Sequence, residues 1–269
     1  MTHMIYVVPS LKAKEKLQCE GKAWAESQGF TYVLRHQRTI QDLMDEYGED
    51  FLVYSSRGPQ IDRPEGSHFF SLNMAELRIQ NLRKGQRDHL LEALMGRGSS
   101  KLPITVLDCT CGFGADAAVA SFGLPTGSRV DALEVSPLLE AVTSWGFSHF
   151  VHKKDDVTAA LRRISLRRGD YRDYLLSDEG PVYDVLYFDP MFQRPVEASC
   201  QFQPVRAIME HGGLTRDLIE RALQKARRRV VIKERDFRQL CRDFPEAVLY
   251  GGKYSRIGYA VLECDSWKK

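Results

Sequence analysis

The sequence has no hydrophobic run near the roughly 18 apolar residues needed to cross a bilayer, so we expect no membrane-spanning segment. Its first ten residues lack a basic start followed by a long apolar core, and we therefore expect no secretory signal. Cysteine is scarce: there are six, and none forms a C-x-x-C pair. These absences disfavour a disulfide scaffold and a structural zinc site, and they indicate a reducing, cytoplasmic location.

An excess of one charge sign is also missing, because 38 basic residues face 36 acidic ones for a net charge of +2. This balance argues against a dedicated nonspecific coat for nucleic acid. Basic residues do cluster within 162–172 and 225–229. Each cluster fits either solvated helix ends and loops or a surface that faces RNA phosphates. The seven histidines show no metal-ligand spacing, so we predict no metal site.

The first sixty residues alternate strand, helix, strand, helix and strand by their hydrophobic spacing. Glycine and proline are frequent between residues 55 and 66, which predicts a boundary. We therefore expect a small N-terminal α/β domain at 1–60 and a larger domain at 61–269.

The larger domain alternates apolar strands with helices. Strands are predicted at 104–107, 129–134, 164–167, 182–188 and 230–233. Strands joined through helices form a mostly parallel sheet that is covered on both faces. The last two strands, 248–250 and 259–262, are too close for a helical crossover and should form an antiparallel hairpin at the edge. The predicted fold is a Rossmann-like, doubly wound α/β domain with seven strands.

A glycine-rich turn follows the first of these strands, at 106–116 (VLDCTCGFGAD). The strand ends at Asp108, and a helix begins near Asp116. Gly112 and Gly114 would let backbone amides approach a ligand closely, because glycine has no Cβ. An acid at the strand end suits a ligand with a cationic amino-acid group better than a pyrophosphate. The alternative is a tight turn after a buried strand, without a ligand.

Two more acids follow the next strands. Glu134 ends the second strand and can accept both hydroxyl hydrogens of a ribose. Asp170 follows the third strand, where it could contact an adenine edge. A surface carboxylate at Glu134 and a plain helix cap at Asp170 remain the alternatives.

The segment 184–192 (DVLYFDPMF) is a buried strand that runs into Asp189 and Pro190. In a doubly wound sheet this strand end faces the ligand crevice. The DPMF tetrapeptide resembles the Asp/Asn-Pro-Pro-Tyr/Phe signature of methyltransferases that act on exocyclic amines of bases. The Asp189 side chain and the Pro190 carbonyl can accept the two amine hydrogens, while Phe192 stacks on the base. Catalysis would then be mainly orientation. The alternative is a common Asp-Pro turn.

Together these motifs resemble the class I S-adenosylmethionine-dependent methyltransferases. More narrowly, residues 69–262 resemble the RsmJ-like family, which methylates the exocyclic amine of a guanine in bacterial small-subunit ribosomal RNA. The resemblance implies S-adenosylmethionine as cofactor, S-adenosylhomocysteine as product, and ribosomal RNA or the small subunit as partner. The cofactor contacts that the turn or the resemblance implies are Asp108, Gly112, Gly114, Ala115, Asp116, Glu134, Val135, Asp170, Tyr171 and Asp189.

Three cations complete the predicted site. Arg78 and Arg87 could reach the cofactor carboxylate or an RNA phosphate, and Lys233, which ends the fifth strand, could hold a phosphate or a base oxygen. The alternative for both arginines is a solvated position beside a helix.

Two other functions stay open. One is a methyltransferase for a small molecule or a protein amide, and the other is a non-catalytic S-adenosylmethionine-binding protein associated with RNA. The intact DPMF segment argues against the second, since a silent protein needs no pocket for an amine. Dependence of activity on intact RNA, compared with free nucleosides or peptides, would separate the enzymes.

Overall fold

The computed structural model describes residues 4–96, 102–190, 213–251 and 257–264. These residues form two compact units. The first unit contains the described residues up to Ser71 together with 136–150, and the second contains the other described residues.

The first unit is built on a five-stranded sheet with the order β2-β1-β3-β4-β5. Its strands are β1 (Tyr6–Pro9), β2 (Thr31–Tyr32), β3 (Phe51–Ser55), β4 (Gly58–Arg63) and β5 (Gly66–Phe69). Strand β1 is parallel to β2 and β3, whereas β4 is antiparallel to β3 and β5. Its helices are α1 (Glu15–Ser27), α2 (Ile40–Tyr47) and α6 (Pro137–His149).

The glycines and prolines between residues 55 and 66 do not form a linker, and this part of the prediction is wrong. They belong to two hairpins, so the boundary predicted at residue 60 falls inside β4. Gly58 and Gly66 have positive φ angles of 86° and 149° at the hairpin turns. Pro59 of β4 pairs with Tyr54 of β3, whereas the pairing of β4 with β5 begins at the next residue, Gln60. Proline has no N–H to donate, so at this position it does not disrupt the hydrogen bonds between β4 and β5. The same residue types mark linkers and tight turns, which explains the error.

Helix α6 begins as its sequence predicts. The Ser136 hydroxyl accepts a hydrogen bond from the Leu139 amide at 3.4 Å, and Pro137 takes the first helical position. Along the helix, Gly146 packs against the ring of Phe70, where an added Cβ would lie 1.9 Å from Cγ. This close packing helps to explain why the helix, which we expected in the larger domain, groups with the first unit.

The second unit contains the seven-stranded sheet, with the order β11-β12-β10-β9-β6-β7-β8. Its strands are β6 (Thr105–Asp108), β7 (Arg129–Glu134), β8 (Ile164–Arg168), β9 (Val185–Phe188), β10 (Arg229–Glu234), β11 (Val248–Gly251) and β12 (Gly258–Glu263). Within the row β10-β9-β6-β7-β8, each strand is parallel to its neighbours. Strand β12 is antiparallel to both β10 and β11. The mostly parallel sheet and its antiparallel terminal hairpin are therefore confirmed.

Helices accompany this sheet: α3 (Asn73–Arg83), α4 (His89–Met95), α5 (Ala115–Gly123), α7 (Asp155–Arg162), α8 (Tyr171–Leu176), α9 (Arg216–Lys225) and α10 (Arg238–Asp243). Leu107, Leu186 and Val230 on the central strands are fully buried. Such uniformly apolar strands are typical of parallel sheets covered on both faces. Within the described ranges, no helix is both long and apolar enough to cross a membrane.

Strand order reverses at β6. The chain moves outward from β6 to β7 and β8, then returns to β9 on the opposite side of β6. Loops at such a reversal diverge and leave a crevice at the carboxyl ends of the strands. Asp108, Glu134 and Asp189 end or directly follow three neighbouring strands, β6, β7 and β9.

Candidate active site

The turn after β6 has the backbone that its glycines predict. Gly112 and Gly114 adopt positive φ angles of 53° and 74°, and Gly114 is the N-cap of α5. Residues with a Cβ rarely adopt this left-handed conformation. Among the described residues, and apart from its chain neighbours, a Cβ at Gly112 would meet the Thr110 carbonyl oxygen alone, at 3.9 Å. At Gly112 the described part of the turn therefore leaves space beside its backbone.

Glu134 holds this turn against the neighbouring strand. Its Oε2 accepts a hydrogen bond from the Gly112 amide at 2.8 Å, although Glu134 lies 22 residues further along the chain. The Cys111 amide also donates to the Leu133 carbonyl at 2.9 Å. The end of β7 and the turn after β6 are thus one connected structure.

Asp108 lies beneath the turn and is only 2% exposed. One of its oxygens accepts a hydrogen bond from the Thr110 amide at 3.1 Å. Burial raises the pKa of Asp108 well above its usual range, and the nearby charges of Asp116 and Asp189 raise it further.

Asp189 connects the end of β9 to the same turn. Its amide donates to the Thr110 hydroxyl at 2.7 Å, and its Oδ2 accepts from Lys233 Nζ at 2.7 Å. Burial raises the pKa of Asp189 to about 6, with Lys233 opposing the rise. Pro190 follows and is half-buried. Phe192, the predicted stacking residue, lies outside the described residues.

Asp116, in the first turn of α5, sits among cations and a tyrosine. Its Oδ2 accepts from Lys233 Nζ at 2.8 Å and from the Tyr187 hydroxyl at 2.7 Å, and its Oδ1 accepts from Arg78. Arg78 also binds both oxygens of Asp88 at 2.8 Å. Burial alone would raise the pKa of Asp116, but Lys233 and Arg78 lower it below the usual range.

The predicted cofactor contacts Asp170 and Tyr171 have partners within the protein. Asp170 is the N-cap of α8, where its side chain accepts from the Arg172 amide at 2.8 Å. Next to it, the Gly169 amide donates to the Glu134 carbonyl at 3.0 Å. The Tyr171 side chain is buried in the core and packs edge-on against Phe188, with ring centroids 5.4 Å apart. Cofactor contacts by Asp170 and Tyr171 stay predictions.

The remaining predicted site residues differ in how far they are exposed and in whether they contact the site. Ala115 opens α5 and Val135 directly follows β7, and both are half-buried at the crevice. The Arg87 side chain is 85% exposed and pairs with Glu92. The structure therefore does not bring Arg87 into contact with the carboxylates of the site, whereas Arg78 and Lys233 both contact Asp116.

Three residues of this site were missed by the sequence analysis: Asp88, Thr110 and Tyr187. The signal for Tyr187 was its hydroxyl group, which must find a partner when it occurs in a buried, otherwise apolar strand. Asp88 is also the N-cap of α4, where its side chain accepts from the Leu90 amide at 3.0 Å.

The two basic clusters contain both buried or paired arginines and exposed ones. Arg229 is buried, and Arg228 pairs with Asp184 at 3.0 Å. Arg167 and Arg168 are exposed on β8, which pairs only with β7 among the described strands.

The charge of the site suits a cationic ligand. The carboxylates of Asp88, Asp116 and Asp189 outnumber the cations Arg78 and Lys233 that pair with them. S-adenosylmethionine carries a sulfonium, an ammonium and one carboxylate, so its net charge is positive. The open glycine turn and these acids fit such a molecule.

A sheet of this strand order, with a glycine turn after its first strand and acids at successive strand ends, defines a class I S-adenosylmethionine-dependent methyltransferase. The chain belongs to the family described as "Putative SAM-dependent methyltransferase", whose model matches residues 66–258. The enzyme class and S-adenosylmethionine as cofactor follow from this membership.

Several relatives are similar over most of the chain. An uncharacterized protein of Bacillus subtilis, YpiP, is 28% identical over 230 residues, which cover 85% of this chain and 88% of the relative. Ribosomal RNA small subunit methyltransferase J of Saccharophagus degradans is 30% identical, covering 64% and 71% respectively. The crystal structure of a SAM-dependent methyltransferase from Neisseria gonorrhoeae matches with a TM-score of 0.61 at 17% identity, covering 97% and 96%, and it shows a shared fold.

Proposed function

We propose that the enzyme methylates RNA, and that its acceptor is the exocyclic amine of a guanine in small-subunit ribosomal RNA. The observation that carries this proposal is the position of Asp189 and Pro190, directly after β9 and tied to the glycine turn through Thr110. The relatives named ribosomal RNA small subunit methyltransferase J, at 28–30% identity, support ribosomal RNA as the substrate.

The cofactor pocket in this proposal surrounds the glycine turn. Glu134 accepts the ribose hydroxyls, Asp170 lies on the adenine side, and the backbone at 112–115 approaches the amino-acid part. Asp108 and Asp116 contribute the acidic surroundings of the cationic groups. The support is the hydrogen-bonded connection between the ends of β6, β7 and β9.

When bound, the cofactor supplies an electrophilic methyl group on a sulfonium. An amine conjugated to a base is a poor nucleophile, because its lone pair is delocalised into the ring. The Asp189 carboxylate and the Pro190 carbonyl accept its two hydrogens and orient the nitrogen toward the methyl carbon. Orientation of this kind can contribute several kcal/mol, about 7–11 in the best intramolecular cases.

The amine nitrogen must also lose a proton. The bound cofactor would supply the methyl carbon and, as the nitrogen–carbon bond forms, would retain the electron pair of the broken carbon–sulfur bond. Asp189 is placed to accept the proton, and a pKa of about 6 allows it to release that proton to solvent near neutral pH.

RNA would approach the exposed arginines of β8. Arg167 and Arg168 extend from the strand that neighbours β7, on the adenosine side of the proposed pocket. Exposed cations of this kind can hold phosphates without reading sequence.

The test uses small ribosomal subunits and naked ribosomal RNA from a strain that lacks the gene. Purified enzyme and S-adenosylmethionine with a labelled methyl group are added, and the digested nucleosides are analysed by mass spectrometry. We expect label on the exocyclic amine of one guanosine. Label on another atom would overturn the acceptor assignment. Transfer only to free nucleosides, small molecules or peptides would instead support the alternative substrates.

A further inference from the structure

We propose that Lys233 is a positioning residue: its ammonium group, anchored on Asp116, holds the Asp189 carboxylate ionised and aimed at the acceptor amine. This role deepens the proposed function of Asp189 and rests on it. It differs from the contact with a phosphate or base oxygen that the sequence indicates for Lys233.

Strand register places the two side chains together. Ile232 of β10 pairs with Phe188 of β9 in the parallel ladder. The next residues along the chain, Lys233 within β10 and Asp189 directly after β9, therefore lie side by side. Nζ of Lys233 lies 2.7 Å from Asp189 Oδ2 and 2.8 Å from Asp116 Oδ2.

A chain of ion pairs that begins at Asp116 holds Lys233 in place. Asp116 is held by Arg78, and Arg78 is held by both oxygens of Asp88. The Lys233 side chain is only 15% exposed, so water screens these pairs weakly. Movement of the Asp189 carboxylate away from Lys233 would break a charge-assisted hydrogen bond, and this restrains its orientation.

Charge balance explains why a cation is needed here. Within the described residues, the ionisable side chains that act on Asp189 include Asp108, Asp116, Tyr187, Lys233 and Glu234, which come from β6, α5, β9 and β10. Lys233 is the one cation in this set. Burial and the charges of Asp116 and Glu234 raise the pKa of Asp189, and Lys233 opposes that rise. Without Lys233 the pKa of Asp189 would rise further, so a smaller fraction of the carboxyl would be ionised to accept from an amine.

The experiment follows Asp189 itself, so it requires no RNA substrate. Protein labelled with carboxyl-¹³C aspartate is titrated by NMR, and the Asp189 signal is assigned by its loss in Asp189→Asn. We expect a midpoint near pH 6 in the wild type. The midpoint should move to higher pH in Lys233→Gln and stay near 6 in Lys233→Arg, which keeps the charge. A matched control is Lys225→Gln, which removes a half-buried lysine of α9 that donates to the Tyr174 carbonyl.

An unchanged midpoint in folded Lys233→Gln would overturn the proposal. If that variant does not fold, Asp116→Asn gives the opposite test: it removes a neighbouring negative charge and leaves Lys233 to Asp189, so the midpoint should fall. No shift in that variant would also overturn the proposal. A failure of the RNA methylation assay with these NMR shifts intact would instead count against the proposed substrate alone.

Discussion

The carboxylate of Glu134 and the amide of Gly112 are joined by a hydrogen bond of 2.8 Å across two neighbouring strands. Glu134 is proposed to bind the cofactor ribose, and the turn at Gly112 is proposed to surround the amino-acid part of the cofactor. One oxygen of Glu134 therefore also supports that turn. The two halves of the proposed pocket depend on the same side chain.

Replacement of Glu134 by alanine should therefore weaken cofactor binding more than the loss of one ribose contact would. A hydrogen bond to a charged group contributes about 1.5–3 kcal/mol, so we expect the Kd for S-adenosylmethionine to rise about 10- to 100-fold or more. Isothermal titration calorimetry measures this directly. Glu246→Ala, at an exposed glutamate, is the control. An unchanged Kd would remove Glu134 from the pocket.

The sheet was predictable because its physical signal is local. The strands β6, β9 and β10 contain short, continuous apolar runs, and acids or glycines follow them where the chain leaves the core. The N-terminal hairpins were not predictable in the same way. Gly58, Pro59 and Gly66 carry the signal of a linker, and only the pairing of β3, β4 and β5 shows that they form turns.

The ion-pair network could not be predicted from the sequence, because its partners are distant along the chain. Arg78 and Asp116 are separated by 38 residues, and Asp116 and Lys233 by 117. No spacing rule connects such residues. The sequence did place Asp116, Asp189 and Lys233 at one edge of the sheet, but it could not show that they bind one another there.

Replacement of Asp189 by asparagine should abolish most of the methyl transfer even at saturating cofactor, which compensates for the loss of a predicted cofactor contact. The amide keeps one oxygen acceptor, but it loses the negative charge and cannot take the amine proton. Removal of one such preorganised group from an active site commonly lowers kcat about 100- to 1,000-fold. Single-turnover transfer of labelled methyl to ribosomal RNA checks this, with exposed Asp178→Asn as the control. Wild-type turnover in Asp189→Asn would contradict the mechanism.

Replacement of Gly146 by alanine should destabilise the first unit. The new Cβ would lie 1.9 Å from the Phe70 ring, so either the ring or α6 must move. Overpacking of this kind costs about 1–3 kcal/mol. We expect a lower midpoint of thermal or urea unfolding, whereas Ser148→Ala on the exposed part of the same helix should change little. Phe70→Leu should partly rescue Gly146→Ala, and strictly additive effects of the two substitutions would contradict a direct contact.

The rate of methyl transfer should fall as the pH drops below about 6, because Asp189 must be ionised to accept the amine hydrogens. The sign follows from the direction of the shift. Burial raises the pKa of Asp189 from that of an ordinary aspartate, so protonation begins at a higher pH than usual. Well below the midpoint, each pH unit should lower the rate about tenfold. Single-turnover rates between pH 5 and 8 at saturating cofactor measure this decrease. Calorimetry at each pH verifies that the cofactor still binds. A flat profile down to pH 5 would show that the ionisation of Asp189 does not control the reaction.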